Sequence, residues 1–139
     1  MQEEKIEKQL TGIAGEFFVA AELAKRNFQV STSLGNAKGI DLFALSQTSD
    51  TPFQIEVKTL RKRNCFSLKA SRIKPTFTYI FVYLNVTDQN PHHFILSGRE
   101  LLENLPHYYG ASLDSVRETV NHGPLQPHAG RWDKLIGKP

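Results

Sequence analysis

An α/β or α+β domain, with a central β-sheet flanked by helices, is the fold class this sequence predicts, on three observations. A helical recurrence of apolar residues fills the first 26 positions, and several short runs rich in β-branched and aromatic residues follow it. The composition, 40% hydrophobic with 9 Phe, 4 Tyr and 1 Trp against 22% charged, is that of a chain that buries a core and not of a disordered one. At 139 residues, without internal repeat, low-complexity tract or evident linker, the chain reads as one unit from Met1 to Pro139.

The first element is a helix over residues 2–26. Ile6, Leu10, Ile13, Phe17, Ala21 and Ala24 recur at spacings near three and four and are expected to form its buried stripe. Gly12 and Gly15 each cost such a helix about 1 kcal/mol relative to Ala, which calls for close approach of another backbone. Asn27 and the turn-rich residues 31–39 separate the helix from a strand at 40–45. A polar connection at 46–52 then leads into a strand at 53–60, and another strand is expected around 66–68. Residues 79–86 should be a central buried strand, with 93–96 as its neighbour. Ser97 and Glu100 have capping-box spacing, and Leu101, Leu102 and Leu105 supply the apolar face of the short helix they open. Beyond Tyr108 the pattern is weak. A short element near Val116 and Val120 is expected, with Trp132, Leu135 and Ile136 packing back on the fold.

Charge and cysteine usage narrow the function classes. The single cysteine, Cys65, excludes an intrachain disulfide and a cysteine-rich zinc site, and is expected to be a partly buried thiol. The charged N-terminus and the lack of a membrane-length apolar run predict a soluble, cytoplasmic protein with no membrane partner. Net charge is only +3, but its distribution is uneven. Lys58, Arg61, Lys62, Arg63, Lys69, Arg72 and Lys74 are 7 of the 17 basic residues, and no Asp or Glu lies among them. This stretch, with Lys38 and the turn at 33–36, is the candidate phosphate-facing surface. His92, His93, His107, His122 and His128 lack ligand spacing and are expected to be surface or partly packed residues, while packing is the better reading of Tyr108 and Tyr109 than base stacking.

Glu56-Val57-Lys58 is the first chemical candidate. Such a triplet arises by chance, and Glu3-Glu4-Lys5 is a second instance in the same chain. In a strand, however, residues two apart share a face, so Ile55 and Val57 face a core while Glu56 and Lys58 project together from the other side. Simple charge pairing across a sheet face accounts for the triplet alone equally well. Asp41 adds weight, because it heads a strand that pairs with the one carrying Glu56. Two carboxylates on adjacent strands repel unless a proton or cation lies between them, and oxygen ligands suit Mg2+ or Mn2+. Glu16, with Gly12 and Ala20 four residues to either side and Leu23 seven on, emerges within an apolar arc of the helix and needs a partner.

Gly15-Glu16, Gly39-Ile40-Asp41 and Ile55-Glu56-Val57-Lys58, in that order, resemble the PD-(D/E)xK, or restriction-endonuclease-like, nuclease superfamily, and are especially similar to archaeal Holliday-junction resolvases. Ile40 stands where the motif has its proline. The resemblance covers residues 12–58 and is vague past 83. It implies a restriction-endonuclease-like core with a mixed sheet, and metal-dependent hydrolysis of phosphodiester bonds in DNA, RNA not being excluded. Asp41, Glu56 and the Val57 carbonyl would hold one divalent ion, Glu16 would support a second ion or its water, and Lys58 would orient the nucleophile. A homodimer is implied as well. The alternatives are a restriction or defence nuclease subunit and a non-catalytic nucleic-acid-binding protein on the same scaffold.

Overall fold

A computed structural model describes residues 2–33, 39–85 and 89–135. Helix α1 (Gln2–Lys25) is followed by strands β1 (Gln29–Thr32), β2 (Leu42–Leu45) and β3 (Phe53–Leu60), the short β4 (Phe66–Ser67), β5 (Phe77–Tyr83) and β6 (His92–Ser97). Helices α2 (Gly98–Glu103) and α3 (Leu105–Tyr109), strand β7 (Thr119–Val120) and helix α4 (His122–Leu125) complete the named elements. Five strands form a mixed sheet in the order β1-β2-β3-β5-β6, and β4 pairs with β7. Only β3 and β5 run parallel in the large sheet, with Glu56 opposite Tyr79 and Lys58 opposite Phe81.

Strand β5 lies inside the sheet, between β3 and β6, and all seven of its residues are buried, so the sheet is covered there on both sides. On one face Val19 and Leu23 of α1 pack with Leu42, Ile55, Val57, Ile80, Val82, Trp132 and Leu135. On the other, Tyr79, Phe81, Tyr83, Phe94 and Leu96 meet Phe66, Leu101, Tyr109 and Val120. The crossover from β3 to β5, which carries most of the basic stretch, is fixed to this second face by three tyrosine hydroxyls. Tyr83 Oη donates to the Asn64 carbonyl, Tyr109 Oη donates to the Leu68 carbonyl, both at 2.7 Å, and Tyr79 Oη accepts from the Lys74 N–H at 2.9 Å. Each phenol thus buries its ring in the core and spends its polar end on one point of the strap.

The strand at 53–60 and the turn before it are as expected, and Ser97 closes its capping box, accepting from the Glu100 N–H while Glu100 accepts from the Ser97 N–H. Several expectations need correction. Residues 29–32 form an edge strand where only a connection was expected, since Gln-Val-Ser-Thr is too polar to announce one. The central strand starts at Phe77 and ends at Tyr83, earlier than 79–86; Val86, like Ile136 and Lys38, lies outside the described residues. Leu102 and Val116 are exposed, as is the Cys65 thiol.

The largest correction concerns α1. Ile6, Leu10, Ile13 and Phe17 are not its buried stripe: they are 54, 54, 46 and 63% exposed, and Ala21 and Ala24 are exposed with them. The face against the sheet is Thr11, Gly15, Val19 and Leu23. Small residues are needed there because the helix lies close to β3. A Cβ on Gly15 would fall 1.8 Å from Thr59 Oγ1, so the close approach is to a side chain and not to another backbone; nothing lies within 4 Å of a Cβ on Gly12.

Candidate active site

Asp41 precedes β2, with its N–H donating to the Ile55 carbonyl at 2.9 Å. That bond brings its side chain beyond the end of the β2 ladder, where Oδ2 accepts from the Val57 N–H at 2.7 Å. Because N–H and C=O of one strand residue point to the same edge, the Val57 carbonyl is aimed toward Asp41 too, away from β5. The local order of residues 41, 55 and 57 thus turns a carboxylate and a main-chain carbonyl to one spot.

Glu56 and Lys58 project from the opposite face of β3 to Ile55 and Val57, as their spacing requires, with Lys58 Nζ 4.0 Å from Glu56 Oε1. Gly39 closes the other side. Its φ of +82° is a region that favours glycine, and a Cβ there would lie 3.3 Å from the Glu56 carboxylate, on top of the strain. Glu16 comes from α1, one residue past the tight Gly15 contact, and lies close enough to Asp41 to feel its charge.

All three carboxylates are held above the ordinary carboxylate range. Burial is the main cause for each. The charge on Asp41 adds to it for Glu16 and for Glu56, whereas Lys58 opposes it for Asp41 and Glu56, and Arg72 opposes it for Glu56. Asp41 is therefore the central member: both other acids feel it. Among the described residues, no three His, Cys, Asp or Glu side chains converge on one point at metal-binding distance. Of the candidate donors, the Asp41 and Glu56 carboxylates lie close enough for the charge of one to be felt by the other, and the Val57 carbonyl points to the Asp41 edge of β3. Hard oxygen donors that repel one another fit a divalent Mg2+ or Mn2+ ion, which removes the repulsion that burial has sharpened.

Glu56 and Lys58 open into a cleft of about 300 Å3 bounded by Ser67, Leu68, Lys69, Arg72, Arg117 and Glu118. The basic stretch divides here. Lys69 and Arg72 line this cleft, but Arg61 turns to α1, donating to Thr11 Oγ1 at 2.9 Å and pairing with Glu7 at 3.3 Å. Arg63 lines a separate cleft with His92 and His122, and Lys62 and Lys74 are exposed on the strap. Glu118 is held ionised by the Ala70 and Asp114 N–H groups that it accepts from, and its charge sets it against Lys69 in the cleft. Sequence reasoning missed Gly39 as a wall of the site and Arg117 as part of the cleft. Gly39, next to the Ile40-Asp41 pair, was visible; Arg117 reaches the cleft only through the β4–β7 pairing, which no local pattern announces. Of the two tyrosines considered for stacking, Tyr108 and Tyr109 are both buried.

No family model and no curated protein sequence matches this chain. Solved structures do. The bacterial homing endonuclease I-Ssp6803I is similar with a TM-score of 0.66 at 10% identity, over 92% of this chain and 90% of that one. Hjc of Archaeoglobus fulgidus, a Holliday junction resolvase from an archaeal hyperthermophile, is similar with a TM-score of 0.57 at 12% identity, over 92% and 97% of the two chains. The mixed five-stranded α+β fold of this chain is accordingly the restriction-endonuclease-like fold of those two nucleases.

Proposed function

We propose that this chain is a divalent-metal-dependent endonuclease that hydrolyses phosphodiester bonds of DNA. The observation that carries the reading is the opening of Glu56 and Lys58 into a cleft rimmed by Lys69, Arg72 and Arg117, with Asp41 held on the intervening Val57, on a fold shared with two nucleases. Asp41, Glu56 and the Val57 carbonyl would hold the ion. When bound, Mg2+ or Mn2+ supplies Lewis acidity at the scissile phosphate and lowers the pKa of coordinated water. Lys58 lies against the same phosphate position and stabilises the negative charge that develops there. The Val57 N–H holds one Asp41 oxygen, which fixes the other's direction. Glu16, held above the ordinary carboxylate range beside Asp41, accepts a proton from water at the site or supports a second ion.

Lys69, Arg72 and Arg117 would position the nucleic-acid backbone, with Lys62 and Lys74, exposed on the strap, extending the contact. A small domain with a shallow cleft suits recognition of shape better than long sequence readout, so branched DNA is the favoured substrate, and cutting two strands calls for two copies of the site. The test is cleavage of four-way junctions, linear duplex and single strands with Mg2+ or Mn2+, in the parent and in Asp41→Ala and Glu56→Ala. Metal-dependent cutting lost in both variants supports the proposal, and cutting that survives both removes it.

A further inference from the structure

Helix α1 carries a second apolar face that the other described residues leave exposed. Ile6, Leu10, Ile13 and Phe17 follow one another at spacings of four, three and four, which is the spacing of a coiled-coil seam. The seam lies on the side of the helix away from Thr11, Gly15, Val19 and Leu23, and its four large residues are about half exposed or more. Lone apolar side chains on a surface are ordinary. A charge-free row of four, along a helix of 24 residues or roughly 36 Å, is not.

We propose that this face is an interface between two copies of the chain, which pair antiparallel through α1. Three features favour a second copy as the occupant. The seam has heptad spacing and is self-complementary: antiparallel pairing about the centre between Leu10 and Ile13 sets Leu10 against Ile13 of the other copy, and Ile6 against Phe17. Its flanks are small or uncharged at Gln9, Ala14 and Ala21, so two helices can approach closely. The apolar side chains expose roughly 400 Å2 per copy, and with the flanks included the pair would bury roughly 1,200 Å2, the lower bound for a specific interface. The charges nearest the row, Glu3 and Glu16, are acidic and not the basic band of a membrane-lying helix. Antiparallel pairing also sets Glu3 beside Ala20 of the other copy, where parallel pairing would stack Glu3 on Glu3.

Pairing along α1 has a consequence for the site, because Glu16 adjoins this seam. The proposal rests on the nuclease reading only for that consequence; the association itself is independent of it. Sedimentation equilibrium of the full chain over a range of micromolar concentrations is the test, beside the double variant Leu10→Glu, Ile13→Glu. A reversible dimer for the parent and a monomer with unchanged far-UV circular dichroism for the variant are expected. Orientation is read by mixing two Cys65→Ser chains, one with Ile6→Cys and one with Phe17→Cys: oxidation should link the unlike pair in preference to either like pair. A monomeric parent, a dimer that persists in the double variant, or preferential like-pair links overturns the proposal. None of these readouts uses cleavage, so failure of the nuclease reading would leave them intact.

Discussion

Substituting Gly15 by Ala sets two opposite effects against each other. In an ordinary helix interior the change stabilises by about 1 kcal/mol, because Gly loses more backbone entropy on folding. Here the new Cβ falls 1.8 Å from Thr59 Oγ1 and 2.7 Å from Thr59 Cβ, where ordinary contact begins near 3.4 Å. Rotating the threonine moves its hydroxyl but not its Cβ, so α1 has to recede from β3 by at least about 0.7 Å, and by about 1.6 Å if the rotamer stays. Overpacking of this kind costs about 1–3 kcal/mol, and the net expectation is destabilisation by up to about 2 kcal/mol. Gly12→Ala, three residues earlier with nothing within 4 Å of its Cβ, should instead stabilise by up to about 1 kcal/mol. Urea melts followed by circular dichroism measure both. A cycle with Thr59→Gly should return a coupling of about 1 kcal/mol or more, because removing the threonine removes the clash. If Gly15→Ala stabilises as Gly12→Ala does, α1 is not seated on Thr59 and the placement of Glu16 beside Asp41 loses its support.

His93 is half-buried against Trp132, its Nε2 has no partner among the described residues, and burial holds its pKa down to about 4. The folded chain keeps the ring neutral while the unfolded chain binds a proton below about 6.5, so stability present above that pH is lost as pH falls toward about 4, by about 3 kcal/mol. His93→Leu should flatten that part of the urea-midpoint profile; an unchanged slope sinks the assignment. Glu16, Asp41 and Glu56 act in the opposite sense, since their pKa values are raised and their ionisation with rising pH destabilises the fold. Mg2+ or Mn2+ should therefore raise the melting temperature more at about pH 8 than at about pH 5, and Glu56→Gln should melt higher than the parent in cation-free buffer. A parent indifferent to both ions contradicts the metal reading. Tyr109→Phe leaves the Leu68 carbonyl unpaired and should cost about 1–3 kcal/mol in thermal or urea melts, while a neutral effect would show that the hydroxyl does not tie down the strap. Replacing Lys69, Arg72 and Arg117 by Ala should lower the salt dependence of DNA binding by about one unit of slope for each phosphate left without its cation; an unaltered slope places the DNA elsewhere.

What could be read from the sequence was mostly local. The strand at 53–60 and the capping box at Ser97 follow from period and spacing, and the projection of Glu56 with Lys58 follows from the two-residue repeat of a strand. Strand β1 could not be read, because as an edge strand it exposes most of its residues and carries no apolar alternation. The division of the basic stretch was equally hidden. Consecutive cations at 61–63 follow the end of β3, and their directions depend on partners distant in sequence, as Arg61 does on Thr11 and Glu7.

Helix α1 shows why the strongest periodic signal misled. Its outer row, Ile6, Leu10, Ile13 and Phe17, is more hydrophobic than its inner row of Thr11, Gly15, Val19 and Leu23, so hydropathy alone turns the helix the wrong way round. The glycine at 15 carries the opposite information. A helix that lies this near a sheet needs small residues on the contact side, and a helix that meets another helix keeps its large ones. Glu16 could be placed near Asp41 because Gly12, Ala20 and Leu23, the positions used to orient it, lie on or beside the inner face. Two apolar faces on one helix mean two contacts, and only one is made among the described residues.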